Sequence, residues 1–110
     1  MNEARIEELK AKHPGRQLVA LSLVTEEGLE AAEVIGLVPS SKEVSQLRDM
    51  QTKPETKGKA GELFVRNCIL EPTGEAFNQL LNQKPLIIEK LGDELMKLAG
   101  SEEKVHTKKL

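Results

Sequence analysis

Apolar side chains in this chain change their spacing at Pro39, and that change limits the folds open to it. From Gln17 to Val24 the residues read Gln-Leu-Val-Ala-Leu-Ser-Leu-Val. In an extended strand Val19, Leu21 and Leu23 point one way and Leu18, Ala20, Ser22 and Val24 the other. Both sides are largely apolar, which predicts a strand covered on both faces. Thr25-Glu26-Glu27-Gly28 reads as a turn, and residues 29–38 as a second extended segment ending at Pro39. Its first half, Leu29-Glu30-Ala31-Ala32-Glu33, also suits a helix by propensity. Its second half, Val34-Ile35-Gly36-Leu37-Val38, is strand-like. The short, glycine-bearing turn favours an antiparallel hairpin.

Beyond Pro39 the apolar residues recur at three and four. Ser40 with Glu43 three residues later has capping-box spacing, and Val44, Leu47 and Met50 follow on one helical face. Residues 51–61 are polar, carry Pro54, Gly58 and Gly61, and predict a flexible loop. A central helix is expected over Glu62–Leu70, stopped by Pro72. Thr73 is placed to cap a further helix to about Gln83, with Phe77, Leu80 and Leu81 inward. Pro85 suits the first turn of a last helix. That helix has an apolar stripe of Ile87, Ile88, Leu91, Leu95 and Leu98 and a C-terminal glycine at Gly100. Upstream of the hairpin, Asn2 is placed to cap a short helix over residues 2–12, which His13-Pro14-Gly15 ends. The expectation is an α+β chain: an N-terminal helix and antiparallel β-hairpin, then a bundle of about four helices. One domain spans 1–100, and a charged, disordered tail covers 101–110.

Composition narrows the functions. Phe64 and Phe77 are the only aromatic residues, so the core must be built from aliphatic side chains and little is left to stack on bases or sugars. The net charge of −2 offers no long-range attraction for a polyanion. The mild basic cluster Lys53, Lys57 and Lys59 is broken by Glu55 and reads first as a solvated linker. No apolar run approaches the roughly 20 residues that span a bilayer, so no membrane association is expected. The N-terminus lacks the apolar core of a signal peptide, and a lone cysteine suits a reducing compartment; the expected location is cytoplasmic.

Tests for chemistry favour binding over catalysis. Cys68 is the only thiol and sits among apolar residues, where it behaves as a small hydrophobe rather than a nucleophile. His13 and His106 stand at opposite ends of the chain with no second ligand at helical spacing, so no metal site is expected. Lys57-Gly58-Lys59-Ala60-Gly61-Glu62 lacks the full phosphate-loop pattern, and no cofactor is expected. Glu26, Glu27, Glu30 and Glu33 cluster around the hairpin turn without an aromatic residue to hold a sugar. They read as solvated carboxylates or as an acidic contact face for a partner.

Leu37-Val38-Pro39-Ser40 opens the helical half. Asn67-Cys68-Ile69-Leu70-Glu71-Pro72, Leu80, Lys84-Pro85-Leu86, Leu91-Gly92 and Leu98-Ala99-Gly100 follow in order. Over roughly residues 17–100 this arrangement resembles small tail assembly chaperones of tailed bacteriophages and prophages. In these, a cysteine-containing helix runs into a proline and the last helix closes on an apolar residue and glycine. The resemblance implies a non-enzymatic phage assembly factor that binds the tape-measure protein and shields its apolar helices before the tail tube forms. It implies no catalytic residues. The contact residues expected are Glu26, Glu27, Glu30 and Glu33 with Leu80, Ile87 and Leu91. Two other readings stand beside it: a structural virion component or self-assembling homo-oligomer, and a small nucleotide- or nucleic-acid-associated regulator using the Lys53 to Lys59 segment.

Overall fold

The computed structural model describes residues 3–24, 30–101 and 103–110, without the side chains of residues 24 and 30–32. Its elements are α1 (Glu3–Lys12), β1 (Leu18–Val24), β2 (Glu30–Leu37), α2 (Ser41–Thr52), α3 (Ala60–Cys68), β3 (Ile69–Glu71), α4 (Gly74–Gln83) and α5 (Ile87–Leu98). The fold is α+β, with an N-terminal helix and an antiparallel hairpin followed by helices. The expected cap at Asn2 and the expected turn at 25–28 lie outside the described residues. The second extended segment is strand from Glu30 to Leu37, so the hairpin prevails over the helical propensity of its first half.

The strands form one antiparallel sheet in the order β1-β2-β3. On one face Leu21, Leu23, Val34 and Ile69 meet the helical layer, whose core is Leu47, Ala60, Phe64, Val65, Cys68, Phe77, Leu91 and Leu95. On the other face Ile35 and Leu37 are also buried. The N-terminal segment supplies cover there. Leu9 of α1 is buried outside the helical cluster, and Arg5 of α1 donates through Nε to Glu71 of β3 at 2.7 Å. That cover stops short of β1, where Ala20 and Ser22 are exposed. The expectation that β1 is covered on both faces is therefore corrected: the ten residues of α1 span only about 15 Å and cannot roof the whole sheet.

β3 is the element the spacing did not predict. The expected helix over 62–70 ends at Cys68, and Ile69–Glu71 is strand. Pro72 disfavours helical geometry at the residue before it. Gly36 lets β3 come close, because a Cβ there would meet the Cys68 carbonyl oxygen at 3.2 Å and Ile69 Cδ1 at 3.3 Å. The register slips between Ile35 and Gly36, so Ile69 pairs with Gly36 while Glu71 pairs with Ile35. The bulge breaks the two-residue alternation, and Ile69 enters the core while Glu71 receives Arg5.

The helix ends follow local rules. Ser40 caps α2 with a complete capping box, its side chain accepting from the Lys42 N–H while Glu43 accepts from the Ser40 N–H at 3.0 Å. Gly100, at φ 101°, closes α5: its N–H bonds the Lys97 carbonyl and the Ser101 N–H reaches back to Met96, both at 3.0 Å. This is the Schellman arrangement. The expected loop over 51–61 is shorter than its composition suggests. α2 runs to Thr52, a turn follows, Lys57–Lys59 forms a 3₁₀ turn, and α3 starts at Ala60. Thr56 ties the turn down by donating its hydroxyl to the Met50 carbonyl at 2.7 Å.

Candidate interaction surface

Among the described residues of the helical layer, the most exposed large apolar side chain is Leu86, where α4 turns into α5; Leu98, at the far end of α5, is 40% exposed. The Lys84 N–H bonds the Leu80 carbonyl at 2.9 Å, the Ile87 N–H bonds the Lys84 carbonyl at 3.1 Å, and the chain reverses over 84–86. Pro85 lies in this turn rather than inside the helix, and Leu86 takes the N-cap position with no side-chain cap. Leu86 is 66% exposed. Leu80, Leu81, Ile87 and Ile88 are half-buried and rest on the core. Beneath them Phe77 is buried under the Arg66 guanidinium, 5.4 Å from the ring centroid, and Arg66 also donates to Asn78 Oδ1 at 3.0 Å. Arg66 thus ties α4 to α3.

Ile88 also lines an open cleft of about 510 Å³ between the 3₁₀ turn, the start of α3 and one side of α5. Its other lining residues are Gly58, Gly61, Glu62, Glu89, Gly92 and Asp93. Three glycines leave room and three carboxylates set its charge. Glu62 lies 3.4 Å from Arg66, i to i+4 on α3. The surface therefore passes from apolar at Leu86 to acidic at Glu89 and Asp93 within two turns of α5. Among the described residues no group of His, Cys, Asp and Glu could hold a metal ion.

Two buried groups, a thiol and a carboxylate, serve the fold. Cys68 has no exposed surface, and burial pushes its thiol up to about 11, with Glu43 adding to the effect, so it stays protonated at neutral pH. Glu43 is 5% exposed. Burial opposes its charge, but the Ser40 N–H, the Arg16 guanidinium and the Ser40 hydroxyl outweigh that, and its carboxyl titrates below the usual range. Arg16 also donates to the Val38 carbonyl at 3.3 Å. This knot joins the start of β1 to the start of α2.

Among the described residues, the expected contact residues do not form one group. Glu26 and Glu27 lie outside the described residues. Glu30 opens β2, but its side chain is likewise outside. Glu33 is half-buried on β2, opposite Ser22. Leu80 and Ile87 stand at the α4–α5 corner. Leu91 does not: it is 2% exposed and belongs to the core, because α5 turns that side toward α3. Leu81, Leu86 and Ile88 were missed. A helical stripe identifies apolar positions but not which of them a neighbour covers. The one available signal was Leu86 following a proline at a corner, off the stripe. Lys53, Lys57 and Lys59 are exposed along the α2–α3 connection.

No protein-family model matches the chain, and no curated protein resembles it in sequence. Among solved structures, an uncharacterised protein from Bacillus stearothermophilus superimposes with a TM-score of 0.66, covering 94% of this chain and 99% of its own at 18% identity. The likeness is one of fold: nearly the whole length of both chains shares the same arrangement. No described helix is long and apolar enough to cross a membrane.

Proposed function

We propose that this chain is a non-enzymatic assembly factor that works in the cytoplasm by holding an apolar helix of a larger protein at the α4–α5 corner. The observation that carries this reading is Leu86, two-thirds exposed in the turn between α4 and α5, which bring half-buried Leu80, Leu81, Ile87 and Ile88 to either side of that turn in sequence. Isolated exposed leucines are ordinary, but one in a turn that joins two helices with half-covered apolar residues offers a surface for a partner helix. The acidic cleft beside it suits a partner helix that follows its apolar stripe with a lysine or arginine. The resemblance to phage tail assembly chaperones supplies the class of client: the long, helical tape-measure protein.

Co-expression tests the reading. The client, expressed with this chain, is expected to gain solubility and to co-purify with it; with the Leu86→Asp variant both effects are expected to fall away. A client equally soluble with and without the chain would remove the proposed role.

A further inference from the structure

One face of α5 runs from the corner to the place where the chain leaves the helix. Leu86, Glu89, Asp93, Met96 and Gly100 follow one another at spacings of three and four, which puts them in a single row. Leu86, Glu89 and Asp93 are exposed, and Glu89 and Asp93 also line the open cleft. Like charges at i and i+4 repel, and among the described residues neither carboxylate has an ion-pair partner. At the other end of the row the Ser101 N–H reaches the Met96 carbonyl and the Glu103 N–H bonds the Gly100 carbonyl at 3.1 Å, so the chain turns out of α5 beside Gly100. Residues 103–110 follow without helix or strand and are exposed throughout, Val105 by 93%.

We propose that residues 103–110 are a strap that folds back along this row and covers the α4–α5 corner, so that the chain shields its own helix-binding surface until a client displaces the strap. The displacement rests on the helix-binding reading; the strap contact itself does not. Step lengths set the register. Two extended residues advance about 6.6 Å and four helical residues about 6 Å, so a strap laid antiparallel to α5 keeps step with every fourth helical residue. Counted from Glu103 beside Gly100, His106 comes level with Asp93, Lys108 with Glu89 and Leu110 with Leu86, each within about 2 Å. Alternate residues of an extended chain point the same way, so these three side chains face the row together. Lys108 then meets a carboxylate and Leu110 meets Leu86.

Charge and tethering select this occupant. The strap carries Lys104, Lys108 and Lys109 against Glu103 alone, and the row it would cover carries Glu89 and Asp93. Leu110 and Lys108 are also the apolar group and the cation that the corner and the cleft suit. A segment tethered this closely acts at about millimolar effective concentration, which a second copy's tail reaches only in very concentrated solution.

Paramagnetic broadening on the full chain tests the strap. A nitroxide on Thr107→Cys sits on the strap's outer side, and Cys68 is buried. In low salt the amides of Leu86, Glu89 and Asp93 are expected to broaden more than those of β1. Glu89→Lys is expected to abolish this, and Lys108→Glu added to it is expected to restore it. No preferential broadening, or broadening that Glu89→Lys leaves unchanged, overturns the proposal. So does equal broadening when the nitroxide is carried only by a second, isotopically unlabelled copy, the sign of a tail exchanged between molecules. Calorimetric titration of client helical peptides then reads the competition. Lys108→Ser/Leu110→Ser is expected to bind at least about twofold more tightly than wild type, the gain that follows if the strap covers the corner half of the time. Equal affinity in the two proteins overturns the shielding. The expected broadening with no peptide bound by either protein would remove the helix-binding reading and uphold the strap contact.

Discussion

Gly36 lies so close under Cys68 that a Cβ on it would stand 3.2 Å from the Cys68 carbonyl oxygen. The contact is to backbone, which cannot rotate away. Gly36→Ala is therefore expected to cost about 1–3 kcal/mol, the usual penalty for overpacking a well-filled interior. Chemical denaturation of the variant beside wild type measures it. A change within a few tenths of a kcal/mol would mean that β3 yields more easily than its pairing implies.

The Glu43 carboxylate gives acid stability a definite sign. Its folded-state carboxyl titrates below the unfolded value, so its contribution is present above the unfolded pKa of about 4.3 and is lost as pH falls through the folded one. Glu43→Gln is expected to lower stability at pH 7 by about 1.5–3 kcal/mol, the range for hydrogen bonds to a charged group. The gap to wild type should close as pH drops below about 4. Denaturation curves at several pH values decide this, and a pH-independent gap would contradict it.

Cys68 should behave as core. With its thiol raised to about 11, the thiolate fraction at pH 7 is on the order of one in ten thousand, and burial denies access as well. Alkylation by iodoacetamide is expected to be slow in the native protein and fast in denaturant. Rapid native labelling would show the helical layer opening around α3.

Leu91 and Leu86 should separate stability from binding. Leu91→Ala removes a buried side chain and is expected to cost about 2–5 kcal/mol. Leu86→Asp changes an exposed corner and puts a capping side chain at the start of α5, so it is expected to leave stability unchanged or raise it by up to about 1 kcal/mol. Thermal unfolding of the two variants checks the pair.

Much of this fold is legible locally. Ser40 and Glu43 at capping-box spacing start α2 where expected, Gly100 ends α5, and the alternation from Leu18 marks β1. What local pattern does not carry is decided by contacts distant in sequence. The three residues of β3 are too few to show a period, and they become strand because Gly36 offers them an edge. Leu91 and Leu86 are both apolar leucines near one helix; only the packing of α3 against α5 buries the first and leaves the second bare. Pro85 looks suited to a helical first turn but falls in the preceding turn, because the reversal after Lys84 continues through Leu86. The acidic cluster was easy to see, yet Glu26 and Glu27 lie outside the described residues and Glu33 is far along the chain from the corner.

The corner around Leu86 is proposed to bind an apolar helix. Calorimetric titration of client-derived amphipathic helical peptides into wild type and Leu86→Asp tests it most directly. Wild type is expected to bind with a negative heat-capacity change, the mark of apolar burial. The variant is expected to lose about tenfold or more in affinity, as truncating a central contact does. Equal affinity in the two proteins, or no binding by wild type to any peptide of the client, would contradict it.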